Sequence, residues 1–203
     1  METRIAKLIS YLLHPLLMPT YGFAIVFFTN NFISTFTAPE VKLVILTITF
    51  VFTFILPSVN VLILLKLGRI NSLGMATTHE RTVPYVSTAL YYFALFYLFY
   101  NADFPKVFQI LILGAGISLL LTILINFKWK ISAHMIGIGG TAGAALGIVY
   151  RLQLDLQVVI MFLLLLSGLV GYSRLKLNAH TPAQVYGGLA LGFLVELLLM
   201  IFY

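Results

Sequence analysis

Arginine and histidine side chains lie in three short polar clusters of an otherwise apolar sequence, at residues 77–84, 128–134 and 173–184. The four residues that matter most are Arg81, His134, Arg174 and His180. Arginine guanidinium groups bind phosphate oxygens bidentately, and histidine serves as a nucleophile or as an acid and base. The combination therefore predicts a site for a phosphate group.

Long apolar runs separate these clusters. The chain has 203 residues, of which 61% are apolar and 9% charged, and its runs match the length that crosses the hydrocarbon core of a bilayer. We predict an all-α, polytopic transmembrane bundle of about six to seven spans, forming a single integral membrane domain over residues 1–203. The candidate spans cover residues 8–29, 42–65, 85–101, 106–127, 134–150, 155–172 and 182–202.

If all seven spans cross, the three clusters lie on one membrane face. That face also carries nine of the 12 lysines and arginines, which by charge alone predicts that it is cytoplasmic. The absence of cysteine excludes disulfides and cysteine metal sites. We expect no metal, no cofactor and no nucleic-acid partner, because the sequence has no metal-binding motif and no soluble basic domain.

Two candidate spans carry glycines at four-residue spacing. Gly139, Gly143 and Gly147 lie on the fifth, and Gly188 and Gly192 on the seventh. Small residues at this period allow helix backbones to approach closely. We therefore expect these two helices to pack tightly.

The clusters resemble the motifs of the type 2 phosphatidic acid phosphatase superfamily of membrane lipid phosphatases and phosphotransferases. Ser173, Arg174 and His180 match its third motif in full. The sequence from Ile131 to His134 is similar to its second motif, and Arg81 with a proline three residues later retains part of the first. The resemblance covers roughly residues 75–192.

The resemblance implies a role for each of these residues. His180 would attack phosphorus and form a phosphohistidine, and His134 would protonate the leaving oxygen and then activate water. Phosphate would be bound by Arg81, Arg174, Ser173 and backbone N–H groups near Ser132. The supporting residues would be Glu80, Lys128, Lys130 and Gln184.

Two positions depart from the family pattern. Gly74 stands where the first motif has lysine, so Lys66, Arg69, Lys128 or Lys130 would have to supply that charge. Gln184 stands where many relatives have aspartate, and it could accept a hydrogen bond from His180.

Each cluster also has a purely structural interpretation. The sequence Thr181-Pro182-Ala183-Gln184 is a capping box with proline at the first helical position. Ser132 could cap a helix, and Glu80 could pair with Arg81. His14, beside Pro15 in the first span, is either functional or a packed or hydrated side chain.

We therefore expect an integral protein of a bacterial inner membrane that hydrolyses a lipid phosphomonoester or diphosphate. Candidate substrates are a polyprenyl diphosphate, a phosphatidate-like lipid or a lipid A phosphate. Two alternatives stay open: a phosphotransferase, and a lipid-phosphate-binding protein or transporter without catalysis, which Gly74 and Gln184 favour slightly. Members of the phosphatase superfamily commonly have this site on the non-cytoplasmic face, whereas the lysine and arginine count predicts the cytoplasmic face. The sequence therefore leaves the sidedness of the site open. It also leaves the oligomeric state open.

Overall fold

The computed structural model describes residues 2–75 and 77–202. Within those residues the regular structure is entirely helical, and ten α-helices follow one another along the chain. They are α1 (Glu2–Leu12), α2 (Met18–Phe28), α3 (Phe32–Phe36), α4 (Pro39–Phe50), α5 (Leu56–Lys66), α6 (Thr78–Asn101), α7 (Lys106–Asn126), α8 (Ala133–Leu152), α9 (Gln157–Lys176) and α10 (Pro182–Phe202).

Seven helical stretches are long and apolar enough to span a membrane, which confirms the predicted polytopic bundle. They are Glu2–Phe28, Pro39–Lys66, Thr78–Asn101, Lys106–Asn126, Ala133–Leu152, Gln157–Lys176 and Pro182–Phe202. The third begins seven residues earlier than predicted, at Thr78. The reason is a capping box in which Thr77 and Glu80 bond each other's backbone N–H groups, so the helix starts well before Pro84.

The first two spans are interrupted at prolines. In the first span, His14 has an extended backbone and caps a short 3₁₀ turn at Pro15–Leu17, which separates α1 from α2. In the second, a five-residue π-helical turn at Val51–Ile55 joins α4 to α5 just before Pro57. Proline lacks an N–H donor, so a continuous α-helix would lose a hydrogen bond at each place.

Helices α8 and α10 form the most extensive contact of the bundle. Their backbones meet at the spaced glycines: a Cβ atom added to Gly139 would lie 3.2 Å from the Leu189 Cα, and one added to Gly143 would lie 2.9 Å from the Phe193 Cα. The close packing predicted from the glycine spacing is thus confirmed.

The outer surface of the bundle is apolar. Large hydrophobic side chains are strongly exposed on most spans, for example Phe28 at 75%, Val158 at 80% and Phe202 at 81%. Such a surface fits a hydrocarbon solvent, and it agrees with an integral membrane protein.

We predict that Gly192→Ala destabilises the protein by about 1–3 kcal/mol, because the new methyl group would overpack the contact with α8. It would lie 2.8 Å from the carbonyl carbon of Ile136 and 2.9 Å from the amide nitrogen of Gly140, and neither backbone atom can rotate away. The measurement is the thermal unfolding midpoint in detergent micelles.

Gly168→Ala on α9 is the matched control. No atom lies within 4 Å of its added methyl group, and alanine favours a helix over glycine by about 0.5–1 kcal/mol. Equal unfolding midpoints for the two variants would contradict the close contact.

Candidate functional site

One cavity of about 850 Å³ opens among the helices. All four residues singled out in the sequence line it: Arg81, His134, Arg174 and His180. They come from α6, α8, α9 and the segment between α9 and α10. The structure therefore brings three clusters, which are widely separated in sequence, into one chamber.

Arg81 is held by the first turn of α6. Glu80, the helix-capping residue, also accepts hydrogen bonds from the backbone and side chain of Asn71. The Arg81 Nε donates to the carbonyl of Met75 at 3.0 Å, and the side chain is 7% exposed. Glu80 thus acts as a cap for α6 and has no ion pair with Arg81, contrary to one structural interpretation of the sequence.

His180 lies in the short segment before α10, and its ring has a defined tautomer. Its Nδ1 is 3.1 Å from the carbonyl oxygen of Lys130. A carbonyl only accepts hydrogen bonds, so Nδ1 carries the proton and Nε2 carries the lone pair. Burial, together with the positive charges of Arg174 and Arg81, lowers the pKa of His180 to about 4. The ring is therefore neutral at physiological pH and has a nucleophilic nitrogen.

His134 lies in the first turn of α8 and contacts the first span. Its Nε2 is 3.1 Å from the carbonyl oxygen of Ser10, and the Ser10 hydroxyl accepts a hydrogen bond of 3.2 Å from Arg174. The break at Pro15 leaves carbonyls near the end of α1 without a helical partner. By the same reasoning as for His180, the His134 Nε2 is protonated, so its Nδ1 carries a lone pair and can accept a proton.

Ser10 is a site residue that the sequence reasoning missed. The helix break at His14 and Pro15 was the only signal for it, since a backbone carbonyl leaves no mark in the sequence. His14 also lines the cavity, with its ring centroid 5.4 Å from that of His134. Its Nδ1 accepts a hydrogen bond from the Leu16 amide at 3.3 Å.

The mouth of the cavity carries an excess of positive charge. No carboxylate in the described part of the chain lies within salt-bridge distance of Arg81, Arg174 or Lys130. Partial burial and the two neighbouring arginines lower the pKa of Lys130. The two arginines of the cavity wall, with Lys130 close by, therefore favour the binding of an anion.

Two further predicted residues, Ser173 and Lys128, do not line the cavity. Ser173 is fully buried, and its hydroxyl donates to the carbonyl of Leu169. Lys128 is exposed. Gly74 lines the cavity and brings no charge to it.

Gln184 and Ser132 differ from the resemblance-based expectation. Gln184 and Thr181 form the reciprocal bonds of a capping box at the start of α10, while His180 is bonded to Lys130. The Ser132 N–H donates to the Gln184 carbonyl at 3.3 Å. The Ser132 N–H is therefore engaged within the protein, and Gln184 has the capping role that the local sequence also predicted.

The cavity extends from its cationic mouth to Glu196 on α10, a second residue that sequence reasoning missed. Glu196 is 4% exposed, and its Oε2 has no hydrogen-bond partner within residues 2–75 and 77–202. The sequence did indicate Glu196, because an acidic residue inside an apolar span is a functional candidate by default.

We predict that His180 stays neutral on acidification from about pH 7 to about pH 5, whereas an ordinary histidine protonates near pH 6.5. A depressed pKa means that the proton binds only at lower pH. The check is an NMR titration of ¹⁵N-histidine-labelled protein in micelles, with the signal assigned by loss in His180→Asn. Arg174→Gln should shift the titration to higher pH, because it removes a neighbouring positive charge. Half-protonation near pH 6.5 in the wild type would contradict this environment for His180.

No family model, curated protein or solved structure matches this chain. The likeness to the phosphatase superfamily therefore stands on the three short motifs themselves.

Proposed function

We propose that this protein is a membrane-embedded phosphatase that hydrolyses a lipid phosphomonoester or diphosphate through a phosphohistidine on His180. One observation carries the proposal. His180 has its Nδ1 fixed by a carbonyl and its Nε2 left with a lone pair, in the same cavity as two arginines that have no acidic partner among residues 2–75 and 77–202.

In the proposed first step, the His180 Nε2 forms a bond to phosphorus as the bond from phosphorus to the lipid oxygen breaks. The His134 Nδ1 takes the remaining proton of the phosphate group and passes it to the leaving oxygen. The His134 Nε2–H keeps the ring oriented through Ser10. Water then attacks the phosphohistidine, His134 takes the proton from that water, and the P–N bond breaks to release phosphate.

The arginines supply electrostatic stabilisation. The Met75 carbonyl orients Arg81 and the Ser10 hydroxyl orients Arg174, so both guanidinium groups are partly ordered before the substrate binds. Guanidinium groups bind two phosphate oxygens at once, and negative charge builds on those oxygens during transfer. Lys130 lies close enough to both arginines for their charges to lower its pKa, so it could supply the positive charge that Gly74 does not provide.

The rest of the cavity fits a lipid. Its walls below the cationic mouth are largely apolar, with Leu111, Ala115 and Leu119 on α7 and Ala144 on α8 among the lining residues. A headgroup can therefore bind at the mouth while its tail lies among the helices. Polyprenyl diphosphate, phosphatidate-like lipids and lipid A phosphates all have this form. A phosphotransferase would use the same covalent step, with an acceptor hydroxyl in place of water.

A second candidate is a transporter or a binding protein for lipid phosphates without turnover. Glu196 favours it, since a buried carboxyl deep in a membrane cavity is typical of transport pathways. It shares the anion site and lacks the covalent step, so a direct test separates the two.

We predict that His180→Ala lowers phosphate release by about a thousandfold or more, because it removes the nucleophile. The assay uses purified protein with polyprenyl diphosphate, phosphatidate and lipid A phosphates in mixed micelles. His79→Ala is the matched control, because His79 is exposed and does not line the cavity. With ³²P-labelled substrate, the wild-type protein should retain label that is stable in alkali and lost in acid. Equal rates for His180→Ala and the wild type would remove the nucleophile assignment.

We predict that orthovanadate, which resembles a phosphoryl group in transfer, raises the thermal unfolding midpoint of the wild-type protein. Arg174→Ala should lose most of this stabilisation, because a bidentate anion contact disappears. Arg69→Ala, at an exposed position outside the cavity, is the control. Stabilisation by vanadate without hydrolysis of any lipid would support the binding-only candidate. No stabilisation at any concentration would contradict the anion site itself.

A further inference from the structure

The deep end of the cavity contains a polar group that phosphate chemistry at the mouth does not use. Glu196 projects from α10 toward α7 and α8, and glycines on both helices leave room for its carboxyl group. A Cβ atom at Gly114 would lie 2.6 Å from the Glu196 carboxyl carbon, and one at Gly140 would lie 3.3 Å from its Cγ. The two glycines thus form a recess that an alanine at Gly114 would close.

The distance from the mouth follows from helix geometry. Gly140 is six residues beyond His134 on α8, and a rise of 1.5 Å per residue places it about 9 Å deeper. If a lipid phosphate is bound by Arg81 and Arg174, the tail of that lipid would lie beside Glu196.

One hydrogen-bond acceptor of the cavity wall lies at the level of Glu196. Thr141 follows Gly140 on α8 and lines the cavity, and its hydroxyl donates its proton to the carbonyl of Gly137. The remaining lone pair of that hydroxyl can accept a hydrogen bond. The Oε2 of Glu196, which has no partner among the described residues, is a second group that can bind a hydrogen-bond donor.

We propose that Glu196 and Thr141 form a second subsite, which binds a hydroxyl or amide N–H group on the lipid tail close to the headgroup. This inference rests on the proposed function, since it requires the phosphate to occupy the cationic mouth. It selects, among lipid phosphates, those with hydroxylated or amide-linked acyl chains. An all-hydrocarbon tail would leave the Glu196 carboxyl without a partner, and a buried polar group without a partner is unfavourable.

The test compares two synthetic phosphatidates that differ only in their tails. One carries 3-hydroxytetradecanoyl chains and the other carries tetradecanoyl chains. For the wild-type protein we expect the hydroxylated lipid to have a Kd and a KM lower by about tenfold. Binding is measured by lipid-dependent thermal stabilisation, and turnover by phosphate release.

Two substitutions assign the preference to the carboxyl group. In Glu196→Leu the ratio of the two Kd values should fall to about one, because leucine cannot accept a hydrogen bond. Glu196→Gln keeps the shape and one acceptor oxygen, so it should retain part of the preference. Glu40→Gln, at an exposed position on α4 outside the cavity, should behave as the wild type does.

The outcomes separate this inference from the proposed function. Tighter binding of the hydroxylated lipid without hydrolysis of either lipid would support the subsite and contradict the phosphatase. Hydrolysis of both lipids at equal Kd and KM would support the phosphatase and overturn the subsite. A preference that persists in Glu196→Leu would also overturn it.

Discussion

The backbone contact between α8 and α10 is the constraint on which the site depends. It aligns the start of α8, which carries His134, with α10, which carries Glu196. Two further bonds join the starts of these helices: the Ser132 N–H, just before α8, donates to the carbonyl of Gln184 in the first turn of α10, and His180 bonds to the Lys130 carbonyl. The glycines therefore position side chains at both ends of the cavity, although none of them takes part in chemistry.

Positive charge without an acidic partner is the second organising feature. Buried cations are unfavourable unless they are paired, and here the structure supports Arg81 and Arg174 with neutral acceptors, a carbonyl and a hydroxyl. Neutral acceptors orient a guanidinium group and leave its charge uncancelled. That arrangement disfavours the empty cavity and favours a cavity that holds an anion. Together with burial, the same positive charges lower the pKa of His180 and keep its imidazole neutral.

Much of the fold could be predicted from the sequence, because long apolar runs and spaced glycines act locally. The capping box at Thr181 was predicted for the same reason, whereas the one at Thr77 was missed, and with it the true start of α6. The partners of His134 and His180 were not, since both are backbone carbonyls, of Ser10 and Lys130, that any residue type could provide. Glu196 carried a signal in its own span. Its recess depends on glycines from two other helices, and only the packed structure brings these together.

The break at His14 and Pro15 divides the first span into two helical segments, so α1 can tilt without bending α2. The tip of α1 is anchored to α9 by the ion pair between Glu2 and Lys176, and its far end is anchored in the site by Ser10. Ser10 contacts both His134 and Arg174, so a displacement of α1 would change the contacts of two residues on the cavity wall.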